Sequence, residues 1–113
     1  MLYHLTSKDE WESGKDSGGY YVPKRFAVDG FIHTSFREQV LATANRKFFG
    51  RNDLIIVFVD EAKVGAEIVV EDLGNRGEAH PHIYGKLPLV AVLGSAPLVP
   101  NAVGQFDMIP EVV

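Results

Sequence analysis

The sequence predicts an α+β domain with its helices early and most of its strands late. Three observations carry this prediction. Ser7-Lys8-Asp9-Glu10 and Ser35-Phe36-Arg37-Glu38 both have the spacing of a helix-start capping box and both precede residue 50. Leu54–Val59 (LIIVFV) and Leu89–Leu93 (LVAVL) are apolar runs without alternation, the pattern of strands buried on both faces. Segregated helices and strands favour α+β over a doubly wound α/β fold.

The elements follow in chain order. Leu2–Leu5 is short, apolar and aromatic, and reads as a strand. Thr6 or Ser7 then caps a short helix that Trp11 anchors on the core. Gly14, Gly18 and Gly19 end it and open a loop. Pro23 biases Val22 away from helix, so Tyr20–Pro23 is extended. Phe31–Thr34 reads as a second strand, and Ser35 caps the main helix. Phe36, Val40, Leu41, Ala44 and Phe48 share one arc at about 100° per residue, with Gln39, Ala42, Thr43 and Arg46 off it. Gly50 fits the position just past the helix end. Leu54–Val59 is expected at the sheet centre. A helical turn over 60–65 and a strand over Ala66–Glu71 follow. Leu73–Ala79 is a polar loop, and Leu89–Leu93 is a last buried strand. The expected order is β-α-β-α-β-β-β plus a tail.

One domain accounts for all 113 residues. A hydrophobic fraction of 46% excludes disorder of the whole chain. There is no cysteine, which removes disulfides, thiolate metal ligands and cysteine nucleophiles. No run approaches the ~18 apolar residues of a membrane span. The start MLYHLTSKDEW lacks the features of a signal peptide, so a cytoplasmic protein is expected. A net charge of −4 argues against general nucleic-acid binding. It still allows a local basic pocket, because Arg37, Arg46, Lys47 and Arg51 fall close together.

Four histidines carry most of the chemical potential: His4, His33, His80 and His82. Strand side chains alternate, so His33 shares a face with Phe31 and Ser35, and His80 with His82 and Tyr84. In GFIHTSF, residues 30–36, a strand runs into a helix start, where free N–H groups meet a positive dipole end. His33, Thr34 and Ser35 would orient a phosphate or carboxylate there. The competing reading makes His33 a backbone-bonded core residue and Ser35 a cap. His4 has the same structural alternative. His80-Pro81-His82 suggests a metal pair on one strand face, with a third ligand from His33 or His4. No HExxH, GxxxxGK[ST] or GxSxG pattern occurs. Arg46 lies on either a solvated face or a phosphate.

Five blocks in order resemble a known family: YHLTSKDEW at the start, GFIHTS, QVLATANRKFFG, DLIIVFVD and PHIYGKLPL. Together they are similar to the bacterial family called domain of unknown function 952. The resemblance covers residues 1–93 as a family-like core, with 94–113 as an extended C-terminal tail on the surface. It implies an ADP-ribosyltransferase-like fold, in which two small mixed or antiparallel sheets form a cleft for NAD beside two main early helices. On this resemblance His4, His33 and Glu71 are the catalytic candidates, with Glu78 as a second candidate glutamate. Thr34, Ser35, Arg46, His82 and Tyr84 are the ligand-binding candidates, and no residue is assigned to a metal. NAD or a related nucleotide-like small molecule is the implied substrate. His80 departs from the family pattern, which has an aromatic residue there. A non-catalytic nucleotide- or protein-binding module and a histidine-ligated metal enzyme are the alternatives.

Overall fold

A computed structural model describes residues 1–112. Strand β1 (Leu2–Ser7) leads into helix α1 (Lys8–Gly14), β2 (Tyr20–Tyr21) and the one-turn α2 (Phe26–Asp29). Strand β3 (Ile32–His33), helix α3 (Arg37–Phe48) and β4 (Leu54–Val59) follow. The second half holds β5 (Glu67–Glu71), β6 (His80–Tyr84), β7 (Leu87–Pro88) and β8 (Val92–Pro97). The fold is α+β, with small sheets whose pairs are all antiparallel and three helices rather than two. No helix among the described residues is long and apolar enough to cross a membrane.

Strand β4 is the centre of a β1-β4-β8 sheet, as its unbroken apolar run predicts. Its side chains alternate between two cores. Leu54, Ile56 and Phe58 join Val40, Ala44 and Phe106 on one face. Val57 and Val59 join Trp11, Tyr21 and Ile83 on the other. Truncating a buried residue such as Phe58 would cost about 3–5 kcal/mol. A second sheet has the order β3-β6-β5. A backbone bridge links the two sheets, where Tyr3 and Ser35 exchange hydrogen bonds of 2.9 and 2.8 Å.

Both helix starts differ in detail from the capping boxes read in the sequence. At α1 the Ser7 hydroxyl accepts from the Glu10 N–H. Glu10 does not reach back to Ser7; its carboxylate accepts from the Thr6 hydroxyl and the Lys24 N–H instead. At α3 Ser35 is not the cap, because its backbone is committed to Tyr3. The cap position moves to Phe36, which has no side-chain acceptor, and Gln39 Oε1 accepts from the Phe36 N–H at 3.0 Å. Gln39 and Thr43 are buried although they lie off the apolar arc: Gln39 Nε2 donates to the Ala79 carbonyl at 2.6 Å, and Thr43 sits where α3 borders the cleft.

Two further expectations are corrected. Leu89–Leu93 is not a strand: Leu89–Ala91 forms a 3₁₀ turn and β8 begins at Val92. Val90 is 77% exposed there, so apolarity alone misreads the run. Residues after 93 are not merely a surface tail. Gly94–Pro97 pair with β4, and Leu98 and Phe106 are buried. Asn45 holds this segment on α3. Its Nδ2 donates to the Phe106 carbonyl at 2.9 Å, and its Oδ1 accepts from the Phe106 N–H at 2.7 Å. Replacing Asn45 by Ala should therefore lower unfolding stability by about 2 kcal/mol, while Asn45→Asp, which keeps the acceptor, should lose about half of that. Urea unfolding of the two variants checks the order.

Candidate functional site

A cleft of about 670 Å³ opens between β1, α3 and the β3-β6-β5 sheet. That size is in the range of small-molecule sites. All four histidines line it. Their residue type was legible in the sequence, but their partners were not.

His4 is buried, and both ring nitrogens are used inside the protein. Nδ1 lies 2.7 Å from the His33 carbonyl, which can only accept, so Nδ1 carries the proton. Nε2 then accepts from the Tyr21 hydroxyl at 2.9 Å. Burial lowers the His4 pKa to about 4, against a smaller opposing effect of the bond to His33. Burial also pushes the Tyr21 phenol up to about 12, so it remains a donor. His4 thus has no nitrogen left for a ribose. It is a neutral strut tying β1 to β2 and β3.

His33 and His82 are opposite each other across β3 and β6. His33 Nε2 donates to Asp29 Oδ2 at 2.8 Å, and Arg25 shares the same carboxylate. These two donors, His33 first, lower the Asp29 pKa. Burial lowers the His33 pKa, and Asp29 only partly offsets it. His82 Nδ1 donates to Glu71 Oε2 at 2.8 Å, and the Tyr84 hydroxyl donates to the same oxygen. Tyr84 and then His82 hold the Glu71 carboxyl below its usual range. Phe31 stacks on His82 at 4.1 Å between ring centroids and packs at 4.7 Å from His33. Tyr84 is not on the cleft wall; it braces Glu71 from outside and packs against Phe31.

The remaining candidates divide between structure and site. Thr34 is buried and its hydroxyl donates to the Pro81 carbonyl at 2.6 Å. Ser35 Oγ is 3.4 Å from His80 Nδ1, and His80 Nε2 pairs with Glu78 at 2.9 Å. No three His, Asp or Glu side chains among the described residues converge as metal ligands, so the proposed histidine metal set does not assemble. Arg46 does border the cleft, with Lys47 and Arg76. None of these three has an acidic partner within ion-pair distance among the described residues, whereas Arg25 and Arg51 are paired with Asp29 and Asp53. Burial and the adjacent Arg46, Arg76 and Arg25 charges all lower the Lys47 pKa. Thr43 also lines the cleft, but its Oγ1 is sealed from it and is the one buried side-chain polar atom without a hydrogen-bond partner among the described residues. Asp29, Arg76 and Thr43 had no sequence signal, because each acquires its role only through a distant neighbour.

The His4 geometry sets an acid limit on stability. Its folded pKa is below its unfolded value, so the unfolded chain binds the extra proton between about pH 6.5 and 4. Stability from this group is complete above the unfolded value and falls as pH falls through that window, by a total of about 3 kcal/mol. Thermal melts across the window should show the loss. His4→Phe, which cannot titrate, should flatten that slope while lowering stability at neutral pH.

The comparisons place this chain among proteins of the same shape. It is similar to protein CC0527 from Caulobacter crescentus, whose crystal structure matches with 30% identity and a TM-score of 0.78, over 92% of this chain and 90% of that one. The solution NMR structure of CC0527 matches with 32% identity and a TM-score of 0.75, over 93% and 90% of the two chains. No curated protein matches. The model of the family described as "Protein of unknown function (DUF952)" matches residues 5–95, and the chain belongs to that family.

Proposed function

We propose that the cleft binds a phosphate-bearing nucleotide of the NAD or ADP-ribose class, and that the chain is an ADP-ribosyltransferase-like enzyme. The observation that carries this reading is the unpaired cationic wall of Arg46, Lys47 and Arg76 facing the histidines. All three cations are exposed to the cleft solvent and lack an acidic partner among the described residues, so an anion entering the cleft meets uncompensated positive charge. A pyrophosphate accepts charge-assisted bonds from all three.

Glu71 supplies the carboxylate for ribosyl chemistry. Both of its bonds fall on Oε2, which leaves Oε1 without a partner among the described residues. As the nicotinamide bond of NAD breaks, positive charge develops on the ribose, and an ionised carboxylate stabilises it. His33 and His82 shape the wall around that carbon. In this mechanism His4 is a positioning residue.

Binding without turnover is the second reading. It is favoured by the internal commitment of His4 and Thr34, which leaves fewer free polar groups for a ribose.

NMR titration of labelled protein with NAD, ADP-ribose and nicotinamide tests the cleft. Shifts are expected at Thr43, Arg46, Lys47, Arg76, His33 and His82. Arg46→Gln and Lys47→Gln should each weaken ADP-ribose binding about tenfold. Glu71→Gln should leave binding within about threefold and cut nicotinamide release from NAD by about 100-fold. Nucleotide binding by the unaltered protein without any nicotinamide release would leave the second reading. No shift with any of the three ligands would overturn both.

A further inference from the structure

We propose that His33 and His82 form a metal-independent acid–base pair that hydrolyses a small cyclic phosphodiester of a ribonucleotide in this same cleft. The proposal rests on the anion-binding reading of Arg46, Lys47 and Arg76, but not on ribosyl chemistry. It comes from the arrangement of the two rings.

Each ring is fixed in a known tautomer by a carboxylate of its own. Asp29 accepts a hydrogen bond from His33 Nε2–H, and Glu71 accepts one from His82 Nδ1–H. The opposite nitrogens, His33 Nδ1 and His82 Nε2, have no partner among the described residues. His82 Nε2 is not sealed in, since Thr43 Oγ1 is the only orphan among buried side-chain polar atoms of the described residues. His33 carries its nitrogen on a ring that is 46% exposed. The ring centroids are 5.4 Å apart, and Phe31 packs against both. Paired across β3 and β6, the two rings line the same cleft with one unclaimed nitrogen each. A pair holding one proton has one base and one acid ready at once.

The surroundings decide which ring is which. Asp29 from α2 faces His33 but is shared with Arg25, and Lys47 from α3 opposes a positive charge on that ring. Glu71 from β5 faces His82 with no cation partner, and Tyr84 from β6 only donates to it. His33 is therefore the base and His82 the acid. Neutral His33 Nδ1 takes a proton from water as the water oxygen bonds to phosphorus. The ester bond to a ribose oxygen breaks, and protonated His82 Nε2 gives its proton to that oxygen. Water and a cyclic diester become a phosphomonoester with a free ribose hydroxyl, with no other reactant. Arg46, Lys47 and Arg76 neutralise the charge on the phosphoryl oxygens in the transition state. Asp29 and Glu71 act as positioning residues in this step.

The test uses the full chain with 2′,3′-cyclic AMP in the presence of EDTA, followed by chromatography of products over about pH 5 to 8. A bell-shaped kcat/KM profile with two limbs is expected. His33→Asn and His82→Gln should each lower kcat by about 100-fold with KM changed less than about threefold. Asp29→Asn should move one limb of the bell rather than only lower its height. Circular dichroism checks that each variant folds, and the wild-type profile carries the test where one does not. Activity lost in EDTA, or a profile without limbs, would overturn the proposal. Binding of 2′,3′-cyclic AMP at Arg46, Lys47 and Arg76 without cleavage would overturn the acid–base pair and leave the nucleotide cleft standing. No binding of 2′,3′-cyclic AMP or of NAD would overturn both.

Discussion

The buried imidazole of His4 is the interaction on which the rest of the site depends. One ring joins three segments that are distant in the chain: β1 through its own backbone, β3 through the His33 carbonyl and β2 through the Tyr21 hydroxyl. Leaving either bond unmade would strand a buried polar group, which costs about 1–3 kcal/mol. The bond to His33 also fixes the backbone from which the His33 ring projects into the cleft. The reciprocal pair between Tyr3 and Ser35 lies next to it. Together with the core shared by Val57, Val59, Ile32 and Ile83 they hold the two sheets to each other, and the cleft lies between β1, α3 and the β3-β6-β5 sheet.

That arrangement divides labour among polar residues that look alike in the sequence. His4 and Thr34 spend their hydrogen bonds on the scaffold. His33 and His82 spend one nitrogen each on a carboxylate and keep the other. Arg25 and Arg51 are neutralised by neighbours, while Arg46, Lys47 and Arg76 are not. The chain as a whole carries a net charge of −4, yet one wall of its cleft is cationic. Net charge therefore describes its behaviour toward bulk polyanions, and the wall describes what a small anion meets inside.

Rigidity comes from the two cores that share β4. Because its side chains alternate, α3 and the segment ending at Phe106 cover one face, and α1, β2 and β6 contribute to the other. Helix α3 is held by both its apolar face and the Asn45 staple. Its next face, with Thr43, Arg46 and Lys47, is then presented to the cleft at a fixed height. The helix is a structural element and a site wall at once, which is why its burial pattern departs from a simple apolar stripe.

The sequence by itself determined the helix start at Ser7, the main helix closed by Gly50, and the central place of Leu54–Val59. Each of these follows from residues within a turn or a strand length of one another. It also marked His33, His82 and Arg46 as candidates by residue type, and Glu71 through the family resemblance. Only the tertiary structure decided their partners. Glu71 meets His82 because β5 and β6 pair with Val69 opposite His82, which places Glu71 on the diagonal. Asp29 meets His33 because α2 ends at Gly30, whose φ of 78° turns the chain back. Arg76 joins Lys47 across about thirty residues of chain. Ser35 lost its capping role to a backbone bond with Tyr3, and Leu89–Ala91 lost its strand to a turn. Register, sheet contact and exposure depend on which distant surfaces pack together, and no local pattern encodes that choice.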